Sequence, residues 1–130
     1  MYFGAIRPGW DVEGGHSAQH VDGHCLYATG NGCRSPGCHI WQGMQGAIEQ
    51  GDRIGMLLDL DQGTMTVYKN DERLGVMATG LSGEYSWAVT LYKQDSSARM
   101  ESAPAPASPT VEELAQAVAY IAAHADDDGW

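Results

Sequence analysis

Residues 51–92 constrain the fold most, because apolar side chains recur there at every second position. This is the period of a strand with one buried face. The clusters Asp61-Gln62-Gly63 and Asn70-Asp71-Glu72 separate the runs, and their residues tolerate turn dihedrals; Gly63 can take a positive φ at no steric cost. The pattern predicts an antiparallel meander, which continues through a short strand at 74–77 and a further strand at 87–92. The alternating apolar residues are Ile54, Met56, Leu58 and Leu60 in the first run, and Met65 and Val67 in the second.

The same stretch carries several motifs in a fixed order: Gly-Asp-x-Ile-Gly, Leu-Leu-Asp-Leu-Asp-x-Gly-Thr, Val-Tyr-Lys-Asn, Leu-Gly-Val and Trp-Ala-Val-x-Leu-Tyr. This series resembles the central and C-terminal part of SPRY domains, and the resemblance extends more weakly back to Tyr2. It implies an all-β fold, an antiparallel bent β-sandwich of the concanavalin-like jelly-roll type. It also implies binding of peptides or protein surfaces through loops at one edge, without catalysis. In SPRY domains several strands precede the one that residues 1–6 resemble, so we expect a sandwich that is incomplete at its N-terminus.

Length and composition predict one domain followed by a short appendage. A chain of 130 residues is long enough for a single core. We expect a sandwich over 1–101, a Pro/Ala linker over 102–109, an amphipathic helix over 110–125 and an acidic tail over 126–130. Thr110 and Glu113 have the spacing of a capping box. The residues that would share the apolar face of the helix are Val111, Leu114, Ala115, Val118, Ile121 and Ala122, and this face would dock on the sandwich or self-associate.

Charge and hydropathy exclude several classes of partner. The net charge is −10, and the residues from Glu101 onward include six acids and no base. Such a chain repels phosphate backbones, so we expect no nucleic-acid partner. No run approaches the ~18 apolar residues that a membrane span needs, and no signal-peptide pattern is present. These features predict a cytoplasmic protein with no membrane partner, whose three cysteines are free thiols.

A Cys/His-rich segment supports an alternative of another class. His16, His20, His24, Cys25, Cys33, Cys38 and His39 lie within 16–39 and are residue types that bind zinc. No Cys-x-x-Cys pair is present, and the spacings match no common zinc module. We therefore predict no cofactor and no enzymatic activity, while a metal-binding protein or a thiol-dependent enzyme using this segment stays open as the alternative.

The candidate binding residues lie in the glycine-rich stretch before residue 51. Aromatic side chains in loops give binding area at little entropy cost, and an arginine can anchor a carboxylate. If the loop surface of the SPRY family carries over, the site residues are Trp10, Asp11, Tyr27, Arg34 and Trp41, and the partner is a protein or peptide. Tyr68 and Trp87 lie in predicted strands, and we expect them in the core.

Overall fold

The computed structural model describes residues 2–8, 24–35, 39–44, 51–90 and 109–123. Within these ranges the chain forms two antiparallel sheets and a C-terminal helix. The elements are β1 (Tyr2–Ile6), β2 (Cys25–Ala28), β3 (Arg34–Ser35), β4 (Ile54–Asp59), β5 (Thr64–Lys69), β6 (Glu72–Ala78), β7 (Ser86–Thr90) and α1 (Val111–Ala123).

The predicted meander is confirmed for three strands and wrong for the fourth. Strands β4, β5 and β6 pair in sequence order as a three-stranded sheet. β7 instead joins a four-stranded sheet of order β3-β2-β1-β7, in which Tyr2 is paired with Thr90. The connection before β7 is held to β1 by Arg7, which donates to the carbonyl oxygens of Ser82 and Glu84 and lies 4.2 Å from the centroid of the Tyr85 ring. This tertiary contact lies outside the reach of a local periodicity argument.

Short-range predictions in the first half are confirmed in part. β2 coincides with the predicted strand near residues 25–28, whereas 39–41 supplies only one isolated bridge, between His39 and Arg34. Burial does not alternate along β4 and β5 as predicted: the residues of β4 are all half-buried, and Thr64 and Thr66 are as deeply buried as Met65 and Val67. Leu60, the last apolar residue of the first predicted run, lies beyond the end of β4 and is 45% exposed.

One hydrophobic cluster joins the two sheets. Its buried members are Ala5, Cys25 and Tyr27 from the four-stranded sheet, Met65, Val67, Met77 and Ala78 from the three-stranded sheet, and Trp41 from the loop between them. Met56 and Leu58 of β4 pack against this cluster while half-buried. A smaller cluster, with Ile6 and Leu26 buried and Tyr2 and Ala88 packed against them, lies within the four-stranded sheet alone.

The prediction that Trp87 belongs to the core is wrong. It lies on β7 directly opposite Ala5, yet 48% of it is exposed. β7 is the outermost of the described strands in its sheet, so nothing beyond it in the strand order shields the indole ring. Tyr68, the other predicted core aromatic, is half-buried.

Helix α1 begins where the capping signal predicts it. The Glu113 amide donates to the Thr110 hydroxyl oxygen at 3.1 Å, and that hydroxyl donates to the Glu113 carboxylate at 3.3 Å. Residues 124–130, and all of the predicted linker except Pro109, lie outside the described residues.

The buried face of α1 differs from the predicted one. Ala117 is the most buried residue, whereas Val111 and Val118 are 85% and 47% exposed. Leu114 and Ile121 are half-buried as expected, and Ala115 and Ala122 are exposed. The docked face is thus centred on Ala117, with Leu114, Tyr120 and Ile121 half-buried beside it, and Glu113 on the same side forms an ion pair with Arg73 of β6.

Candidate functional site at the β2–β3 edge

A tight connection between β2 and β3 fixes the position of Arg34. The Ala28 carbonyl accepts from the Gly32 amide at 2.7 Å, and the Ala28 amide donates to the Cys33 carbonyl at 3.0 Å. Asn31 supports the turn, because its side-chain oxygen accepts from the Cys33 amide at 3.0 Å. Gly32 has φ of 81°, a left-handed conformation that glycine adopts without steric cost.

The backbone of Arg34 is held on both sides. Arg34 is paired with Tyr27 of β2. On its other side it exchanges two hydrogen bonds with His39, at 2.9 and 2.7 Å. Because hydrogen bonds on both sides fix the backbone of Arg34, the position from which its side chain extends is well defined. A binding residue needs such a fixed position.

Tyr27 and Trp41, two of the predicted contact residues, lie in the core. They are 0% and 1% exposed, and their rings meet edge to face with centroids 6.2 Å apart. The Trp41 indole Nε1 donates to the Gly32 carbonyl at 2.6 Å, which ties the loop after residue 39 to the β2–β3 turn. Neither ring presents surface to a partner, so both act by supporting the segment that carries Arg34.

The Arg34 guanidinium is the unmatched charge of this region. Arg7, Arg53 and Arg73 each meet a carbonyl or a carboxylate. Among the arginines of the described ranges, Arg34 alone has neither kind of partner, and its buried Nε–H has no hydrogen-bond acceptor. Its neighbour is the Cys25 thiol, to which it hydrogen-bonds. Arg34 as a whole is half-buried, although its Nε atom is buried.

The chemistry of Cys25 does not support thiol catalysis. Cys25 is a free thiol with no exposed surface. Burial raises its pKa, and the charge and hydrogen bond of Arg34 offset only part of that effect. A reactive cysteine needs the opposite arrangement, an accessible thiolate with a lowered pKa.

The prediction of three free thiols is wrong for Cys33. That residue is disulfide-bonded, and its partner lies outside the described residues. An oxidised cysteine next to Arg34 also departs from the reducing compartment that the odd cysteine count predicts.

The Cys/His segment forms no metal site within the part of the chain that the structure describes. There, no group of three or more His, Cys, Asp or Glu side chains is arranged to hold an ion. His24 is buried, at 3% exposure, directly before β2. His16, His20 and Cys38 fall outside the described residues, as do the predicted site residues Trp10 and Asp11.

Of the three predicted site residues that the structure describes, Arg34 is the one that is not fully buried, and its Nε–H has no hydrogen-bond acceptor. Sequence reasoning missed the exposed indole of Trp87, for which the strand pattern gave no signal. No helix among the described residues has the length and apolar character needed to cross a membrane. A search of protein-family models, curated proteins and solved structures found no match to this chain.

Proposed function

We propose that this chain is a non-catalytic protein-interaction module, built as a SPRY-like β-sandwich, which binds a short peptide segment through a carboxylate seated on Arg34. Two observations support the architecture: the motif series over 51–92, and the hydrophobic cluster to which both antiparallel sheets contribute. The unmatched Arg34 guanidinium supports the ligand, and it is the observation that carries the proposal.

A carboxylate would supply the hydrogen-bond acceptor that the Arg34 guanidinium lacks. A buried N–H without an acceptor costs about 1–3 kcal/mol relative to a paired one. A guanidinium presents parallel N–H groups that match the two oxygens of a carboxylate, so one aspartate, one glutamate or a chain terminus can accept from both. The anchored backbone of Arg34 reduces the conformational entropy lost when the ligand binds.

The charge of the whole chain restricts the ligand further. At a net charge of −10 the protein repels polyacidic segments at long range. A single cation on the β2–β3 edge can hold one carboxylate at short range, where the remaining charges are partly screened. We therefore expect a segment with one acid among neutral or apolar residues.

Arg34 variants test this proposal. The probe is a library of soluble fluorescent peptides, each with one Asp or Glu, paired with the same peptides carrying Asn or Gln. We expect the protein to select the carboxylate members, Arg34→Ala to weaken their binding at least tenfold, and Arg34→Lys to recover only part of it.

Arg53→Ala is the matched control, because Arg53 is an exposed arginine that already pairs with Asp71. It should leave peptide binding unchanged, and thermal melts verify that each variant is folded. Equal selection of acids and amides, or full binding by folded Arg34→Ala, would overturn the proposal.

A further inference from the structure

Strand β4 has one edge paired with β5 and one edge that no other described strand joins. Its register with β5 is unbroken from Ile54 to Asp59, whereas the β5–β6 pairing contains two register shifts. β4 contains no proline, lysine or bulge, the features with which natural proteins prevent an edge strand from pairing further. Among the described residues, β4 is therefore a straight edge to which another strand can add.

The hydrogen bonds to β5 show which backbone groups of β4 point to this free edge. The Asn70 amide donates to the Arg53 carbonyl at 2.8 Å, so the Arg53 backbone points toward β5. The N–H and C=O groups of successive residues point to opposite sides of a strand. Those of Ile54, Met56 and Leu58 therefore point to the free edge, and each residue presents one donor and one acceptor there.

The side chains of β4 are apolar on both faces of the sheet. Ile54, Met56 and Leu58 pack against the cluster shared by the two sheets, yet each of them is only half-buried. Leu57, on the opposite face, is half-buried as well. Met65 of β5, which has a strand on either side, is fully buried. A strand added at the free edge of β4 would cover more of these side chains.

A second copy of β4 matches this edge in one register. Antiparallel pairing about a two-fold axis at Met56 places Ile54 opposite Leu58 of the second copy, so every outward-pointing residue enters a hydrogen-bonded pair. Arg53 and Asp59 lie equally far from Met56 in the sequence, and they therefore face each other across the two copies. They do so in the pair type in which side chains come closest, and the symmetry gives two such ion pairs.

Other registers of the same two strands fit less well. A shift by one residue sets the side chains that face the cluster against those of the opposite face. A shift by two residues separates the charges, because Arg53 then lies opposite Leu57 of the second copy, or Asp59 lies opposite Gly55. Charge and apolar pattern thus agree on the register centred at Met56.

Both charged side chains can make this contact while they keep their present ones. Arg53 pairs with Asp71 through one terminal nitrogen, and a guanidinium has five N–H donors. Oδ1 of Asp59 accepts from the amides of Asp61 and Gln62 at 3.0 and 3.1 Å, and a carboxylate has about four acceptor positions. The turn after β4 can therefore stay intact when Asp59 meets a guanidinium.

We propose that β4 is a dimerisation strand, which pairs antiparallel with β4 of a second copy of this chain and joins the two three-stranded sheets into one. The charge complementarity of Arg53 and Asp59 argues for a second copy, because β4 matches itself in both its charged and its apolar positions. β4 belongs to the three-stranded sheet and Arg34 to the four-stranded one, so the dimer does not rest on the proposed peptide site.

The experiment is sedimentation equilibrium of the full chain from about 10 μM to 1 mM, a range that covers weak and moderate dissociation constants. We expect a monomer–dimer equilibrium. Arg53→Asp and Asp59→Arg each set like charges opposite one another, so each variant alone should dimerise at least about tenfold more weakly. An equimolar mixture of the two variants should recover the dimer, because every aspartate then faces an arginine.

Glu72→Arg is the matched control. It changes the net charge by the same amount as Asp59→Arg, but it lies in β6, on the other side of the sheet from β4, and should leave the dimer unchanged. If Asp59→Arg does not fold, Leu57→Lys takes its place. The lysine would face Arg53 of the second copy diagonally, and it leaves the turn after β4 untouched, so the dimer should again weaken at least about tenfold.

Three results would overturn the proposal: a chain that stays monomeric at about 1 mM, a dimer that persists in the folded single variants, or a mixture that does not associate. Arg34→Ala should dimerise like the unchanged chain, so failure here is separable from failure of the Arg34 site.

Discussion

At the scale of single residues, burial decides what Cys25 can do. The thiol has no exposed surface, and desolvation raises its pKa in the folded protein. In the unfolded chain the same thiol is solvated and titrates near its ordinary value of about 8.5. The folded state therefore holds the proton more tightly than the unfolded state does, and this difference makes stability depend on pH.

We predict that the free energy of unfolding falls as the pH rises above about 8.5 and is insensitive to Cys25 below it. The sign follows from the raised pKa: above the unfolded pKa the unfolded chain releases the proton and gains stability. The limiting slope for one group is about 1.4 kcal/mol per pH unit. Urea denaturation at a series of pH values between about 7 and 10 measures how the free energy of unfolding changes with pH. The upper limit is set at about 10 because tyrosines titrate there.

Cys25→Ala is the comparison for that series. The variant should be less stable at neutral pH because the substitution leaves a small cavity. Above the pKa of the unfolded thiol, however, its free energy of unfolding should fall less steeply with pH, because the Cys25 proton no longer contributes. Parallel curves for the two proteins would show that the Cys25 proton does not differ between the folded and unfolded states.

At the scale of elements, the β5–β6 hairpin shows how a turn is specified. Lys69 and Glu72 are paired across a two-residue turn, Asn70-Asp71, whose φ angles are 51° and 68°. Positive φ at both positions is the signature of a type I′ turn, which favours Asn first and Gly second. Asn70 also accepts from the Arg53 amide at 2.9 Å and donates to Asp52 at 3.0 Å, so it joins the hairpin to the start of β4.

We predict that Asp71→Gly stabilises the protein by about 0.5–1 kcal/mol, because glycine relieves the left-handed backbone strain. The exposed ion pair between Asp71 and Arg53 that it removes contributes little. Asn70→Gly should instead destabilise, since it deletes two side-chain hydrogen bonds. Thermal denaturation ranks the three proteins, and a less stable Asp71→Gly would contradict the prediction.

Local signals such as this turn explain which parts of the fold could be predicted from the sequence. The β4–β6 run was predictable because alternation and turn chemistry are properties of neighbouring residues. The sheet that β7 joins was not, because the paired residues of β1 and β7 lie 80 to 88 positions apart. Arg34 was identifiable as a cation in an acidic chain, whereas the burial of Tyr27 and Trp41 was not. An aromatic residue in a glycine-rich segment has the same composition around it whether it is exposed or packed.

At the scale of the whole molecule, close backbone contact joins the loop after Trp41 to the three-stranded sheet. A Cβ at Gly43 would overlap the Leu74 carbonyl and the Trp41 ring. Gly75, which lies against Gly43, has φ of 147° at an irregular point of the β5–β6 pairing. Glycine at both positions allows this loop to approach β6, and the loop carries the Trp41 ring of the shared cluster.

We predict that Gly43→Ala lowers the free energy of unfolding by about 1–3 kcal/mol, because a backbone carbonyl cannot move aside as a flexible side chain can. Gly30→Ala is the matched control: a Cβ there meets nothing within 4 Å. Chemical denaturation of both variants measures the difference, and equal stabilities would show that the loop adjusts freely.

The position of β1 has a consequence for synthesis on the ribosome. β1 lies between β2 and β7, so it acquires its second neighbour only when the chain has been made as far as Thr90. β4, β5 and β6 are complete by Ala78 and need no earlier strand for their pairing. The three-stranded sheet can therefore close on the nascent chain before β1 has both of its neighbours.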